Sequence, residues 1–172
     1  MMISETISIK EYNPYYKAYI DKASDVDILK GLKSSFDNAM DFYSKLPYEK
    51  HDYAYAEDKW TIKDILLHVI DTERVFSYRA LRIARGDKTP LAGFEQDGYV
   101  VSGNAKKRSL ESLIEEYKSV RLATISLFQS FDRETLLKMG EASGFPISVR
   151  ALGYIIVGHE NHHIQVIKQR YL

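Results

Sequence analysis

The stretch SVRALGYIIVGHENHHIQVIKQRY, residues 148–171, contains the pattern that decides the fold. Its apolar residues recur at intervals of three and four, the spacing that places side chains along one face of an α-helix. A serine at the start is favoured as a helix N-cap. The stretch therefore predicts a final amphipathic helix that begins at Ser148 and continues to the C-terminus. Its apolar face is formed by Leu152, Ile155, Ile156, Val166 and Ile167.

Two histidines interrupt this apolar face. His159 and His163 lie four residues apart, so on a helix they point about 40° apart, with side-chain roots roughly 6 Å from each other. A buried polar group without a partner costs on the order of 1–3 kcal/mol. A divalent cation between the two rings would give both a partner, because neutral imidazole is a common metal ligand.

A third histidine lies in a second apolar face. Thr61, followed three residues later by Asp64, is a helix start signal, and Gly86 is expected to end that helix after Arg85. His68 lies within this helix. The apolar face around it is formed by Ile65, Val69, Thr72 and Phe76.

The sequence therefore predicts one metal site formed by His68, His159 and His163. Three histidines with a fourth position open are the ligand set of catalytic rather than structural zinc. Nickel, iron, cobalt and manganese also accept imidazole, so the spacing leaves the metal open. The alternative that these histidines are solvated or hydrogen-bonded side chains without a metal also stays open.

Two further apolar faces complete the pattern of an all-α protein. One extends from Leu29 to Tyr43 after a start signal at Ser24 and Asp27, and the other extends from Leu110 after Ser109. Four amphipathic helices of roughly 20 residues predict a four-helix bundle. We expect a single domain over residues 1–172, with the bundle in 24–172.

The segments outside these helices have distinct compositions. Residues 1–23 are rich in tyrosine without a clear period, which favours an arm laid across the bundle. Residues 87–108 show no period and predict a long loop, a feature that is usually functional or disordered. Residues 132–147 predict a turn with a brief extended piece. Gly153 and Gly158, costly inside a helix, indicate close packing beside the site.

Composition excludes several classes of function. The 172 residues contain no cysteine, which rules out disulfides, thiolate metal sites and a cysteine nucleophile within this chain. Lys plus Arg equals Asp plus Glu at 24 each, so the basic excess of a nucleic-acid-binding protein is missing. No apolar stretch is long enough to span a membrane, and the start does not resemble a signal peptide. A cytoplasmic location is the expectation.

Other polar residues near the predicted site have two interpretations each. Asp71 and Glu73 follow His68 closely; either could hydrogen-bond a ligating imidazole or act as a general base, or pair with Arg74 on the helix surface. His162 competes with His163 as a partner of His159, but its direction disfavours it. We expect His51 in solvent and Glu160 away from the site. Arg79 and Arg82 are expected in surface pairs or against an anionic substrate, and Phe94, Gln96 and Tyr99 are expected at a pocket mouth.

Two motifs resemble the DinB/YfiT-like family of bacterial four-helix-bundle proteins. The first is WTIKD at residues 60–64 leading into LHVIDTE at 67–73, and the second is GHENHHI at 158–164. The resemblance covers roughly residues 25–171. It implies a histidine triad of His68, His159 and His163 that binds zinc, nickel or a similar cation, and it implies a homodimer, which the balanced charge does not oppose.

The resemblance implies three kinds of activity. The first expectation is a thiol S-transferase, in which the cation keeps a low-molecular-weight thiol such as bacillithiol, mycothiol or glutathione as a thiolate that attacks a small electrophile. The second is a metal-dependent hydrolase of an ester or amide. The third is a non-catalytic dimeric metal-binding or stress-response protein.

Overall fold

The computed structural model describes residues 7–23 and 27–172. Within these residues, four long helices form a bundle, and short helices and one β-hairpin occupy the connections. The helices are α1 (Lys17–Ile20), α2 (Ile28–Ser44), α3 (Ile62–Ala84), α4 (Gln96–Gly103), α5 (Leu110–Gln129), α6 (Arg133–Leu136) and α7 (Val149–Arg170). The strands are β1 (Met139–Ala142) and β2 (Phe145–Ser148), and 3-10 turns cover Ile9–Glu11, Pro14–Tyr16, Tyr48–Lys50 and Ala105–Lys107. The predicted four-helix bundle is confirmed, with the hairpin added.

Three of the four predicted helix starts are formed as the sequence indicates. At α3, Thr61 Oγ1 accepts from the Asp64 N–H at 3.1 Å, while Asp64 Oδ2 accepts from the Thr61 N–H at 2.9 Å. Ser109 and Ser148 cap α5 and α7 through their side-chain oxygens. Each cap satisfies a backbone donor that the first helical turn leaves without a partner.

The start of α2 differs from its prediction. Ser24 lies outside the described residues, and Asp27, expected in the first turn, is itself the N-cap. Its carboxylate accepts from the backbone N–H groups of Leu29 and Lys30 at 3.0 and 3.3 Å. The helix therefore begins at Ile28, and aspartate performs the capping that the pattern assigned to serine.

The four long helices form a square in which chain neighbours are not always side by side. Helix α3 packs against α5 and α7, and α2 packs against the same two helices. Consecutive helices α2 and α3 therefore lie on one diagonal, and α5 and α7 lie on the other. The long connections before α3 and before α7 make these crossings possible. Helices α3 and α7, which contain the three predicted ligands, are direct neighbours.

A layer of polar side chains divides the bundle core into two apolar clusters. One cluster includes Leu32, Phe76 and Leu152, and the other includes Ile70, Tyr117 and Ile167. Between them every bundle helix contributes one polar residue to the layer. These residues are Ser35 of α2, Glu73 of α3, Arg121 of α5 and Glu160 of α7.

Arg121 is the centre of this polar layer. Its guanidinium donates to both oxygens of Glu73 at 2.8–3.1 Å, to Glu160 Oε2 at 3.1 Å and to Ser35 Oγ at 2.7 Å. The side chains of Arg121 and Glu160 are fully buried. Burial raises the pKa of Glu160. The nearby carboxylate of Glu73 raises this pKa further, and the positive charge of Arg121 lowers it. One cation thus holds two buried carboxylates and joins all four helices.

The connection predicted as a loop over residues 87–108 contains a helix. Helix α4 begins after Glu95, whose carboxylate accepts from the N–H groups of Asp97 and Gly98, and it ends at Asn104 in a left-handed conformation. It packs against α3. None of its residues is buried, so it has no apolar period, and that is why its sequence did not predict it.

The predicted extended piece is a tight hairpin. Strands β1 and β2 pair in antiparallel register around Ser143 and Gly144, which both have positive φ values of 55° and 78°. Two positive values in a two-residue loop favour the twist of a hairpin. Leu91 forms a bridge to Ala142, so the hairpin also anchors the segment that leads to α4.

In the described part of the predicted arm, residues 7–23, helix α1 lies against α7 and the turn Ile9–Glu11 lies against β2. A Cβ added at Gly158 would lie 1.8 Å from the carbonyl oxygen of Tyr19, so only glycine permits this backbone approach. The arm therefore crosses α7 immediately beside His159. Within the described residues, no helix is long and apolar enough to cross a bilayer. The predicted homodimer and cytoplasmic location stay predictions.

Replacing Arg121 with methionine should destabilise the protein strongly. The change leaves Glu73 and Glu160 buried without their cation, which typically costs about 3–5 kcal/mol. Urea unfolding followed by circular dichroism measures the free energy of unfolding. Arg74→Met is the matched control, because Arg74 pairs with Asp71 and Glu116 near the surface and should lose less than about 1 kcal/mol. Equal losses in both variants would contradict the central role of Arg121.

Gly158→Ala should push the arm away from α7. Alanine favours a helix interior by about 1 kcal/mol, but the clash with Tyr19 exceeds this gain, and we expect a net loss of about 1–3 kcal/mol. Limited trypsin digestion should then cut faster at Lys17 and Lys22. Gly98→Ala, at an exposed position of α4, is the control. Unchanged digestion of the Gly158 variant would show that the arm tolerates a side chain there.

Candidate metal centre

The three predicted histidines converge between α3 and α7. His68 Nε2 lies 3.0 Å from His159 Nε2, and His163 Nε2 lies 3.1 Å from the same atom. One nitrogen from each ring lies within 4.8 Å of the other two. The i, i+4 spacing on α7 brings two rings to one face, and the direct packing of α3 against α7 brings the third.

The surroundings keep all three imidazoles neutral. His68 and His159 are buried, and His163 is half-buried. Burial lowers the pKa of His68 to about 4 and that of His163 to about 3. Burial also holds the pKa of His159 well below its ordinary value, with the neighbouring histidines adding to the effect. At neutral pH each ring therefore has a lone pair available for a cation.

The donor set fits a divalent cation better than it fits hydrogen bonding alone. A neutral imidazole nitrogen is either one donor or one acceptor. His159 Nε2 lies close to a nitrogen of His68 and to a nitrogen of His163, but it can form a hydrogen bond with only one of them. The other nitrogen–nitrogen contact would therefore have no hydrogen atom between its two nitrogens. A cation accepts a lone pair from each ring. Tetrahedral ligands at about 2.0–2.1 Å from zinc are about 3.3 Å apart, and the two contacts of His159 Nε2, at 3.0 and 3.1 Å, are close to that spacing.

Neighbouring side chains fix the ring orientations. Thr72 Oγ1 lies 3.5 Å from His68 Nδ1, at the outer limit of a hydrogen bond, and the Trp60 ring lies 4.8 Å from the His68 ring. On the other side, the Tyr19 ring from the arm meets the His159 ring edge-on at 5.3 Å. Groups behind a ligand set its tautomer and direction, so these contacts prepare the site.

Two cavities that are lined by different residues of α4 approach the histidines. The larger, about 770 Å³, is lined by His162 and His163 together with Trp60 and with Asp97, Val100 and Val101 of α4. The smaller, about 300 Å³, is lined by His159, Thr72, arm tyrosines and residues at the start of α4. Helix α4 therefore lies between two routes, each of which reaches a different member of the triad.

The model of the DinB superfamily matches residues 32–167 of the sequence. The chain belongs to the DinB superfamily. The resemblance that the two motifs indicate is therefore confirmed at the level of the family. A comparison with curated proteins finds no match.

Two solved structures of DinB-like fold are similar to this chain. YfiT from Bacillus subtilis, described as a probable metal-dependent hydrolase with an unusual four-helix bundle topology, has a TM-score of 0.68 and 15% identity over 94% of this chain and 92% of that one. The mycothiol-dependent maleylpyruvate isomerase has a TM-score of 0.66 and 9% identity over 86% of this chain and 61% of that one. At such identities the likeness establishes the shared fold alone.

In this DinB-superfamily chain the two carboxylates near His68 lie apart from the imidazoles. Asp71 pairs with Arg74 at 3.5 Å, as the surface alternative predicts. Glu73 is buried and pairs with Arg121, so its predicted pairing with Arg74 on the helix surface is wrong. The helical period explains the difference, because Glu73 points toward the bundle axis at the level of the polar layer.

The remaining polar expectations have mixed outcomes. His51 is buried with Nε2 3.3 Å from the Leu46 carbonyl oxygen, so its placement in solvent is wrong. His162 is half-buried beside the triad and lines the larger cavity. Glu160 points away from the site as expected. Arg82 forms the predicted surface pair with Asp87, whereas Arg79 is buried. Of the predicted pocket-mouth residues, Phe94 and Gln96 line the smaller cavity, and Tyr99 packs against Phe94.

Metal content should depend on the three convergent histidines and not on His162. Single alanine variants of His68, His159 and His163 should each lose bound divalent metal, because two ligands hold a cation far less firmly than three. Inductively coupled plasma mass spectrometry on protein purified without a nickel column measures this. His162→Ala, one position away, should keep its metal. Loss in that variant, or retention in the other three, would contradict the assigned ligand set.

Proposed function

We propose that this protein is a divalent-metal-dependent enzyme that transfers a low-molecular-weight thiol to a small electrophile. The observation that supports this most directly is the convergence of three neutral imidazole nitrogens between two cavities, one lined by His163 and the other by His159. The coarser conclusion, that the site fits a metal-dependent enzyme, follows from this convergence and from the fold. Zinc and nickel are the candidates that the ligand set favours.

The cation would supply Lewis acidity, holding a thiol sulfur as thiolate at neutral pH. The chain contains no cysteine, so a sulfur nucleophile must come from a second molecule. His68, His159 and His163 would hold the cation from one side and leave a position open. Thr72 and Trp60 contact the His68 ring, and Tyr19 packs against His159, so these contacts would orient the imidazoles toward the cation.

The two cavities match a reaction with two substrates. The larger has polar and charged lining that includes Lys59, Asn104 and Lys106, which suits a hydrophilic thiol cofactor. The smaller is lined by tyrosine and phenylalanine rings together with polar side chains such as Gln96 and Ser143, which suits a small electrophile that has both apolar and polar groups. Because α4 lies between them, the two reactants would meet at the triad while this helix limits access of water.

A hydrolase is the second candidate. YfiT, which shares the fold, is described as a probable metal-dependent hydrolase. A site with three histidines and an open position also activates water. The two candidates differ in one requirement, since hydrolysis proceeds without any thiol.

The test is turnover by metal-loaded protein with a panel of electrophiles and with bacillithiol, mycothiol or glutathione. We expect thiol consumption and a thioether product that depend on the metal, with activity at least about a hundredfold lower in His163→Ala. His162→Ala serves as the control.

Three other outcomes separate the alternatives. Ester or amide cleavage at the same rate without thiol would favour the hydrolase. No turnover with either class, combined with a melting temperature that rises with metal, would favour a non-catalytic metal-binding protein. Thiol consumption equal in wild type and His163→Ala would contradict both enzymatic candidates.

A further inference from the structure

We infer that the smaller cavity binds a carboxylate-bearing small molecule, with the buried guanidinium of Arg79 as the anion subsite. The binding of the anion is independent of the activity proposed above. Its use in orienting a substrate toward the triad rests on that proposed function.

Arg79 differs from the other buried arginines in the described residues. Arg121 contacts the carboxylates of Glu73 and Glu160, and Arg150 contacts the carboxylate of Glu11. Arg79 is only 2% exposed. In the part of the chain that the structure describes, no carboxylate lies within ion-pair distance of its guanidinium. Buried charges in proteins are normally paired, so this cation is prepared for an anion from outside the chain.

The contacts that Arg79 does make hold it in place without neutralising it. Its Nη2 donates to the Ala92 carbonyl oxygen at 2.7 Å and to Ser143 Oγ at 3.1 Å. The guanidinium carbon lies 5.4 Å and 5.7 Å from the ring centres of Phe76 and Phe94. These partners fix the guanidinium plane, and such a preorganised fork suits a carboxylate.

Arg79 lies directly behind the wall of the smaller cavity. Ser143, Phe76 and Phe94, which all contact Arg79, line the cavity that His159 also lines. Tyr16 lines it too, and Arg79 lies close enough to lower the pKa of its hydroxyl, although burial raises that pKa more. The volume of about 300 Å³ is at the lower end of small-molecule sites, roughly 300–1,000 Å³.

The spacing along α3 limits the ligand further. His68, Thr72, Phe76 and Arg79 follow one another at intervals of four, four and three, so they share one face of the helix. Thr72 and Arg79 are seven residues apart, roughly 10 Å along the axis. A substrate with its carboxylate at Arg79 would therefore present a reactive atom roughly 10 Å away to the triad.

One acidic residue, Glu95, lines the same cavity, but its carboxylate already has hydrogen-bond partners. The Glu95 carboxylate accepts from the backbone N–H groups of Gly98 and Asp97, and these hydrogen bonds lower its pKa. It is an N-cap of α4, where the helix dipole compensates its charge. The negative charge of Glu95 should therefore repel a bound anion less than a carboxylate without these partners would.

The probe is benzoate, with benzamide as its uncharged counterpart of the same shape. Calorimetric titration of the full chain as purified should detect the binding of benzoate. Benzamide should bind at least roughly tenfold more weakly, because it cannot form a hydrogen bond between two opposite charges. Arg79→Gln should weaken the binding of benzoate by a similar factor. Arg82→Gln, one turn further along α3 and paired with Asp87 on the surface, should bind benzoate as wild type does.

A second measurement needs no substitution that affects folding. In wild-type protein, the ¹⁵N resonance of the Arg79 side chain should shift on addition of benzoate and stay unchanged with benzamide. Equal binding of benzoate and benzamide, or undiminished binding by folded Arg79→Gln, would overturn the anion subsite. So would the absence of both a heat signal and a resonance shift.

His163→Ala separates this inference from the proposed enzyme. Binding of benzoate that survives in this variant and depends on Arg79 supports the subsite even when thiol transfer and metal are both absent. Binding that disappears in His163→Ala but persists in Arg79→Gln means that benzoate coordinates the metal, and the inference about Arg79 then fails while the metal centre stands.

Discussion

The buried guanidinium of Arg121 is the constraint on which the bundle depends. Apolar packing alone would let the four helices slide, because hydrophobic contact has no direction. Hydrogen bonds from one cation to Glu73, Glu160 and Ser35 do have direction, and they fix the axial level of every bundle helix. Such a network can cost stability relative to an apolar core, so its benefit is to select one register.

The register that Arg121 fixes is also the register of the histidines. Glu160 directly follows His159 on α7, and Glu73 lies one residue beyond Thr72, the hydroxyl neighbour of His68. Neighbouring residues on each helix therefore point in different directions, toward the bundle axis and toward the α3–α7 junction. A shift of one helix by a single residue, about 1.5 Å, would break the ionic contacts and would also misplace an imidazole by most of a metal–ligand bond length.

The parts of the structure that the sequence predicts are those with a local signal. Helices α3 and α7 have an apolar period and a capping residue, and the i, i+4 histidines need only a helix to share a face. Glu73 and Arg121 could not be paired in advance, because their contact depends on which helices are neighbours and the chain order does not reveal the diagonal arrangement. The sequence does not predict α4, because an exposed helix has no apolar period. It does not predict the burial of His51 either, because a polar flanking sequence says little about which loop residue turns inward.

The buried arginines of the described residues are of two kinds, and the difference points to the chemistry of the site. Arg121 and Arg150 have carboxylate partners within the chain, so folding alone accounts for them. Arg79 has no carboxylate partner within the described residues, although burying its charge costs as much. The three imidazoles likewise meet one another and, in the same part of the chain, no carboxylate. His159 lines the small cavity beside the arm and α4, and so do Ser143, Phe76 and Phe94, the side chains that contact Arg79. A cation at the histidines and an anion near Arg79 would therefore align a single molecule along this cavity.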